Sequence, residues 1–297
     1  MARRWPSMDA ERTYGEHATK ARAALDTCDR TPSVGKPDPI LMADGVRREF
    51  GGIVAVDVDH LEVQRGSITA LIGPNGAGKT TFFNLMTGFD TPDTGRWEFD
   101  GRSMERVQSH RTASMGMVRT FQLTKSLTKL SVIENMRLGA TGQVGEKWWN
   151  GLFAARWKAQ EAAITERAEA LLARFNLAHM RDEYAGALSG GQRKLLEMAR
   201  ALMTDPTLVM LDEPMAGVNP ALKQSLNAHI RDLRDQGMTV LFVEHDMDMV
   251  HDISDWVVVM AEGRIIAEGT PDDISRNPAV IDAYLGARQG QSLLEDE

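Results

Sequence analysis

The chain has a single cysteine, Cys28, in 297 residues, so no internal disulfide can form and a reducing, cytosolic setting is expected. It has no long apolar run. Stretches such as Trp256-Val257-Val258-Val259-Met260-Ala261 fall far short of the roughly 20 residues that a membrane-crossing helix needs. If the protein works at a membrane, another chain is expected to supply the crossing. Arg3 and Arg4 are followed by no apolar segment, so the N-terminus does not read as a secretory signal. A basic excess is missing too: 34 Lys and Arg face 42 Asp and Glu, a net charge of −8, and no Lys/Arg stripe suits a nucleic-acid backbone. No repeat of solenoid length is visible. What remains is a length that allows one large α/β domain with an appendage.

Residues 1–37 are polar, of mixed charge, and end in Thr31-Pro32-Ser33-Val34-Gly35-Lys36-Pro37, which favours extended or turn backbone. They read as an N-terminal extension and linker, either with a short helix over about Met8 to Asp26 or disordered. From Ile40 to Ile72, short apolar runs broken by glycines predict strands: Ile53-Val54-Ala55-Val56, His60-Leu61-Glu62-Val63 and Ser67-Ile68-Thr69-Ala70-Leu71-Ile72. A helical pattern then runs from Lys79 through about Met86. Ser131 to Arg181 is Ala/Glu/Arg-rich and helical in period. Thr207 to Leu211 and Thr239 to Val243 are β-rich runs around a helical stretch, the alternation of a parallel sheet buried on both faces. Trp256 to Met260 and Arg264 to Ala267 flank Glu262-Gly263 as a hairpin, with a helix expected from about Pro271.

Between the strand ending at Ile72 and the helix beginning at Lys79 lies Gly73-Pro74-Asn75-Gly76-Ala77-Gly78-Lys79-Thr80. It fits G-x-x-x-x-G-K-[ST], a loop that wraps nucleotide phosphates with backbone N–H groups and a lysine. Glycines 73, 76 and 78 let the backbone approach the phosphate oxygens, Lys79 adds a point charge, and Thr80 offers a hydroxyl for Mg2+. Thr81 completes the expected phosphate site. Asp212, ending the run Leu208-Val209-Met210-Leu211, is placed to hold that Mg2+, and Glu213 to polarise an attacking water. Without the phosphate loop, the two carboxylates would read as an ordinary strand-end pair.

The phosphate loop, Leu188-Ser189-Gly190-Gly191-Gln192 and Asp212-Glu213-Pro214, in that order, resemble the ATP-binding-cassette (ABC) ATPase family. The resemblance implies an α/β fold: a P-loop core on a mixed, largely parallel sheet, an N-terminal antiparallel β subdomain, and an inserted helical subdomain over about 123–200. The ATPase domain would span 38–288, with 289–297 as a polar tail. It further implies that Phe50 stacks on adenine, the alternative being strand packing. Gln122, in Arg119-Thr120-Phe121-Gln122, would join Mg2+ coordination and transmit nucleotide state. His245, in Val243-Glu244-His245-Asp246, would contact the γ-phosphate, although a lone histidine is more often packed or solvated. Ser189, Gly190, Gly191 and Gln192 would bind the ATP held by a second protomer, so that each site is split across two chains.

Several further runs are similar to the ATPase subunits of branched-chain amino acid importers: Phe83-Asn84-Leu85-Met86-Thr87-Gly88-Phe89, Arg119-Thr120-Phe121-Gln122, Ala216-Gly217-Val218-Asn219-Pro220, Glu244-His245-Asp246-Met247 and Ile281-Asp282-Ala283-Tyr284-Leu285-Gly286. This likeness covers roughly Ile40 to Gly286. It implies ATP and Mg2+ as cofactors, a second ATPase subunit, two membrane permease subunits, a solute-binding protein, and a place on the cytoplasmic face of the membrane. Another cargo (urea, short amides, an exported lipid) or a non-transport ABC ATPase are the alternatives. The N-terminal extension has no counterpart in the family pattern, and Ser189-Gly190-Gly191-Gln192 is the general rather than the subgroup form. Trp148, Trp149, Phe153 and Trp157 form an aromatic cluster expected either to pack the helical subdomain or to touch a membrane partner.

Overall fold

The computed structural model describes residues 11–105, 107–120, 128–140 and 154–285. The Trp148, Trp149 and Phe153 part of the aromatic cluster lies outside these residues, as does the side chain of Trp157.

Two sheets organise the chain. The first has strand order β2-β1-β4-β5 and is antiparallel: β1 (Pro39–Phe50), β2 (Ile53–Gln64), β4 (Thr94–Phe99) and β5 (Arg102–Ser103). Gly51 and Gly52 make the turn from β1 to β2 with φ of 56° and 88°, the positive pair that a two-residue hairpin loop requires. Two strands expected separately, Ile53–Val56 and His60–Val63, are halves of β2. An antiparallel strand needs only one buried face, and the polar interruption satisfies itself: Asp57 pairs with Arg264 at 2.7 Å while Asp59 is exposed.

The second sheet has order β10-β9-β3-β8-β7-β6. β3 (Ile68–Ile72), β6 (Met117–Arg119), β7 (Leu208–Asp212), β8 (Thr239–Val243) and β9 (Trp256–Ala261) are parallel to their neighbours, and β10 (Arg264–Gly269) turns back antiparallel on β9. The side-chain period of two sends alternate residues to opposite cores. Ile68, Ala70, Ile72, Val240, Phe242, Val257 and Val259 face the helices. Leu71, Leu241, Val243, Trp256, Val258 and Met260 face the first sheet and α2 (Lys79–Met86). With both faces buried, these strands read as continuous apolar runs.

α3 (Ser109–Ser114) precedes β6, and the helical region includes α4 (Val132–Leu138), α5 (Ala154–Arg174) and α6 (Gly190–Leu202). α4 starts at Ser131, whose side chain accepts from the Glu134 N–H while the Glu134 carboxylate accepts from the Ser131 N–H, a reciprocal cap. α7 (Pro220–Asp235), α8 (Met247–Ile253) and α9 (Pro271–Ser275) complete the helical layer.

The N-terminal segment is built into this body. α1 (Glu11–Asp26) buries Ala18, Ala21 and Leu25, three residues on one helical stripe, and packs on α7. Arg22 then pairs at 2.6 Å with the buried Asp255, which also accepts from Arg234 at 2.9 Å and from the Ile68 N–H. Farther along, the Lys36 ammonium lies 2.9 Å from Glu268, with side-chain exposures of 1% and 0%. Glu268 also accepts from Trp256 Nε1 at 3.0 Å and from the Ser33 N–H at 2.8 Å. The stretch expected to be a linker thus closes the end of the sheet where β3 and β9 begin.

Candidate active site

The phosphate loop leaves β3 at its C-terminal end and runs directly into the N-terminus of α2, the place where a helix favours an anion. Two glycines are compelled by space. A Cβ on Gly73 (φ 150°) would meet the Met260 carbonyl oxygen at 2.0 Å, and one on Gly78 (φ 95°) the Ala55 carbonyl oxygen at 2.2 Å. The loop is therefore pressed between β9 and β2 and has no room for side chains there. Lys79 is buried, and its ammonium donates to the carbonyls of Gly73 at 2.7 Å and Pro74 at 2.9 Å. Burial pulls its pKa below the usual lysine value, with the nearby Glu213 acting in the opposite direction. A buried cation tied to the loop's own carbonyls is a fit for a polyphosphate anion. Thr80, next on α2, is exposed.

The adjacent strands deliver the carboxylates. Asp212 ends β7 and is bound by Arg119 at 2.6 Å. Glu213 follows in left-handed backbone, φ 45°, an uncommon conformation for a non-glycine residue and one that recurs at active sites. Three bonds hold it there: its N–H donates to the Val243 carbonyl (3.0 Å), and its own carbonyl accepts from the Ala216 N–H (3.1 Å) and from Lys194 Nζ (3.3 Å). The result aims the Glu213 carboxylate at His245, with Oε1 3.1 Å from Nε2. His245 itself is set by Glu244, which is 4% exposed and accepts from the backbone N–H groups of His245 (3.0 Å) and Met215 (2.7 Å). Glu244 thereby stitches the loop after β8 to the loop after β7. Thr80 and Asp212 offer oxygen donors of the kind Mg2+ takes, so the donor chemistry fits that ion.

Ser189 stands at the N-cap of α6. Its hydroxyl accepts from the Gln192 N–H at 3.2 Å, and Gln192 Oε1 accepts from the Ser189 N–H at 2.9 Å. These side chains close their own helix end rather than reach residues 73–81. Gly190 has open space where a side chain would stand, whereas a Cβ on Gly191 would lie 1.8 Å from Leu222 Cδ2 and would require that side chain to turn aside. Phe50 is 47% exposed at the hairpin tip, with the Arg48 guanidinium 4.6 Å from its ring centroid, so the ring is not absorbed by strand packing. Gln122 lies outside the described residues.

The family model described as "ABC transporter" matches residues 56–216, more than half of the chain. The chain belongs to the ABC transporter family. It is an ATP-binding cassette, an ATPase subunit, and a second family model, "Branched-chain amino acid ATP-binding cassette transporter", matches its residues 264–289. The cassette is 41% identical over 252 residues to the probable branched-chain amino acid transport ATP-binding protein LivG of Archaeoglobus fulgidus, covering 97% of that protein and 85% of this one. It is 41% identical to the high-affinity branched-chain amino acid transport ATP-binding protein BraF of Pseudomonas aeruginosa, over 98% of that protein and 84% of this one. Among solved structures, an ABC transporter cassette in its ADP conformation aligns with TM-score 0.74 and 38% identity, covering 99% of that chain and 84% of this one. A nucleotide-free cassette aligns with TM-score 0.73 and 37% identity, covering 98% and 83%. The cassette fold expected from the motifs is therefore the fold observed.

Three residues that sequence reasoning did not assign now stand in the site: Lys194 on the Glu213 carbonyl, Glu244 under His245, and Arg119 on Asp212. For Glu244 the signal was an acidic residue directly after a wholly apolar strand, next to His245. Arg119 stood in the run Arg119-Thr120-Phe121-Gln122, but its pairing with Asp212, 93 residues on, had no local signal, and neither had that of Lys194 with the Glu213 carbonyl.

Proposed function

We propose that this cassette energises the uptake of branched-chain amino acids through a membrane permease, by hydrolysing Mg-ATP at residues 73–81 with Glu213 and His245. What carries the cargo reading is the match of residues 264–289 to the branched-chain family model, together with relatives named for that transport along nearly their whole length. No helix among the described residues is long and apolar enough to cross a membrane, and in this reading the cassette sits on the cytoplasmic face, against two permease subunits. A second ATPase subunit and a solute-binding protein complete the assembly.

In this reading the loop amides and Lys79 hold the phosphates, and Phe50 lies against the adenine. Glu213 orients the water for in-line attack, and His245, fixed by Glu244, stands at the γ-phosphate. Thr80, Asp212 and Gln122 would hold Mg2+, which when bound neutralises charge on the phosphates. Ser189 and Gly190, on the N-terminus of α6, serve the nucleotide of the opposite protomer, where the helix dipole and the amides favour an anion. Each chain therefore needs a partner for turnover.

The test is a gentle-detergent pull-down of the cassette from its native membranes, with the co-purifying proteins identified by mass spectrometry. Two polytopic permeases, a second ATPase, and a solute-binding protein that takes leucine, isoleucine or valine are expected. A binding protein that takes urea or short amides, or an assembly with a lipid exporter, would overturn the cargo. Ribosomal or DNA-bound partners without a permease would overturn transport while leaving the ATPase chemistry standing.

A further inference from the structure

Arg119 closes β6 and is almost wholly buried, its side chain 8% exposed. One arm of its guanidinium, Nη2, donates to Asp212 Oδ2 at 2.6 Å. The other, Nη1, donates to Asn84 Oδ1 at 2.7 Å on α2, and the plane lies 5.7 Å from the centroid of Phe83 on that helix. α2 is the helix that begins with Lys79. A single planar fork therefore joins the carboxylate that ends β7 to the helix that carries the phosphate-loop lysine, as only arginine's fixed geometry allows.

We infer that Arg119 is a positioning residue that keeps one oxygen of Asp212 engaged and keeps a cation beside it, so that the cassette binds a divalent ion only weakly until a nucleotide is present. This rests on the proposed assignment of Asp212 to the metal. A carboxylate already paired with a guanidinium has little charge left to offer. A fixed positive charge within a few ångströms also repels a dication, and in a partly buried site that repulsion is poorly screened. The phosphates of a bound nucleotide bring the negative charge that the protein withholds. Metal then enters with nucleotide, and the cassette does not fill with metal alone. The Asn84 arm holds the guanidinium on α2 and so keeps its charge beside Asp212.

The experiment is Mn2+ binding to the full-length, nucleotide-free chain, followed by electron paramagnetic resonance of free Mn2+. Arg119→Met is expected to bind Mn2+ about tenfold more tightly than the parent chain, because the repelling charge is gone. Arg119→Lys, which keeps the charge, is expected to stay within about threefold of the parent. Arg119→Gln, polar and uncharged, carries the same expectation as methionine should the methionine chain not fold. Unchanged or weaker Mn2+ binding in the neutral variants overturns the inference. Asp212→Asn, made in the parent and in Arg119→Met, separates the two levels. If it lowers Mn2+ binding while Arg119→Met does nothing, only the role of Arg119 falls. If it lowers binding in neither background, the assignment of Asp212 falls and takes the inference with it.

Discussion

Lys36→Met would strand a carboxylate in the interior. The Lys36 ammonium is the cationic partner of Glu268 at 2.9 Å, and both side chains are out of reach of solvent. Without it, Glu268 keeps the Trp256 indole N–H and the Ser33 N–H, two neutral donors for a buried charge. Breaking a buried pair by removing one partner costs about 3–5 kcal/mol, most of it the desolvation of the charge left behind. For a chain of this size each kcal/mol lowers the melting temperature by about 2 °C, so a fall of about 6–10 °C is expected. Glu268→Leu should cost a similar amount, because it strands the ammonium. The double variant Lys36→Met, Glu268→Leu removes both charges of the pair and should melt well above the additive expectation from the two single variants. Thermal melts followed by circular dichroism on all four chains decide the matter. Single variants within about 1 °C of the parent, or a strictly additive double variant, would refute the claim that this pair fastens the N-terminal segment to the cassette.

Other outcomes follow from the same geometry. Lys194→Met removes a donor from the Glu213 carbonyl and should lower kcat about tenfold with ATP affinity unchanged, while Lys194→Arg restores turnover; steady-state kinetics that show no loss would remove Lys194 from the site. Gly78→Ala should abolish binding of a fluorescent ATP analogue, since its Cβ would lie 2.2 Å from the Ala55 carbonyl oxygen; binding at the parent affinity would refute the close-approach argument for this glycine. His229 is buried against Phe175, with ring centroids 4.5 Å apart, and burial, aided by Arg174, lowers its pKa. The unfolded chain therefore takes the proton first: stability is full above the unfolded value of about 6.5 and falls as pH drops from there toward the folded value, by up to about 1.4 kcal/mol per pH unit. His229→Phe should flatten denaturant midpoints measured across that window.

The parts of the site that were legible in the sequence are those in which contiguous residues do one job. The phosphate loop is eight consecutive residues between a strand and a helix, and Asp212-Glu213 and Val243-Glu244-His245 each follow a buried apolar run. Neighbouring parallel strands place such runs side by side, so Glu213 meets His245 as soon as β7 pairs with β8. What was not legible depends on pairs distant in sequence. Lys36 and Glu268 lie 232 residues apart, and Arg119 and Asp212 93 apart. The N-terminal segment looked like a linker because its apolar content is a sparse Ala18, Ala21, Leu25 stripe, enough to pack α1 on α7 but too little to declare a core. The merging of two expected strands into β2 was hidden by Asp57 and Asp59, whose charges suit an open sheet face and resemble a break.

In the proposed mechanism Glu213 carries ATP hydrolysis. Its most direct test is Glu213→Gln in the full-length chain, incubated with Mg-ATP, with phosphate release and the sedimentation of the nucleotide-bound species measured on the same sample. ATP is expected to bind, a dimer to accumulate, and phosphate release to be lost. Phosphate release at the parent rate would contradict this mechanism and would move the catalytic role away from Glu213.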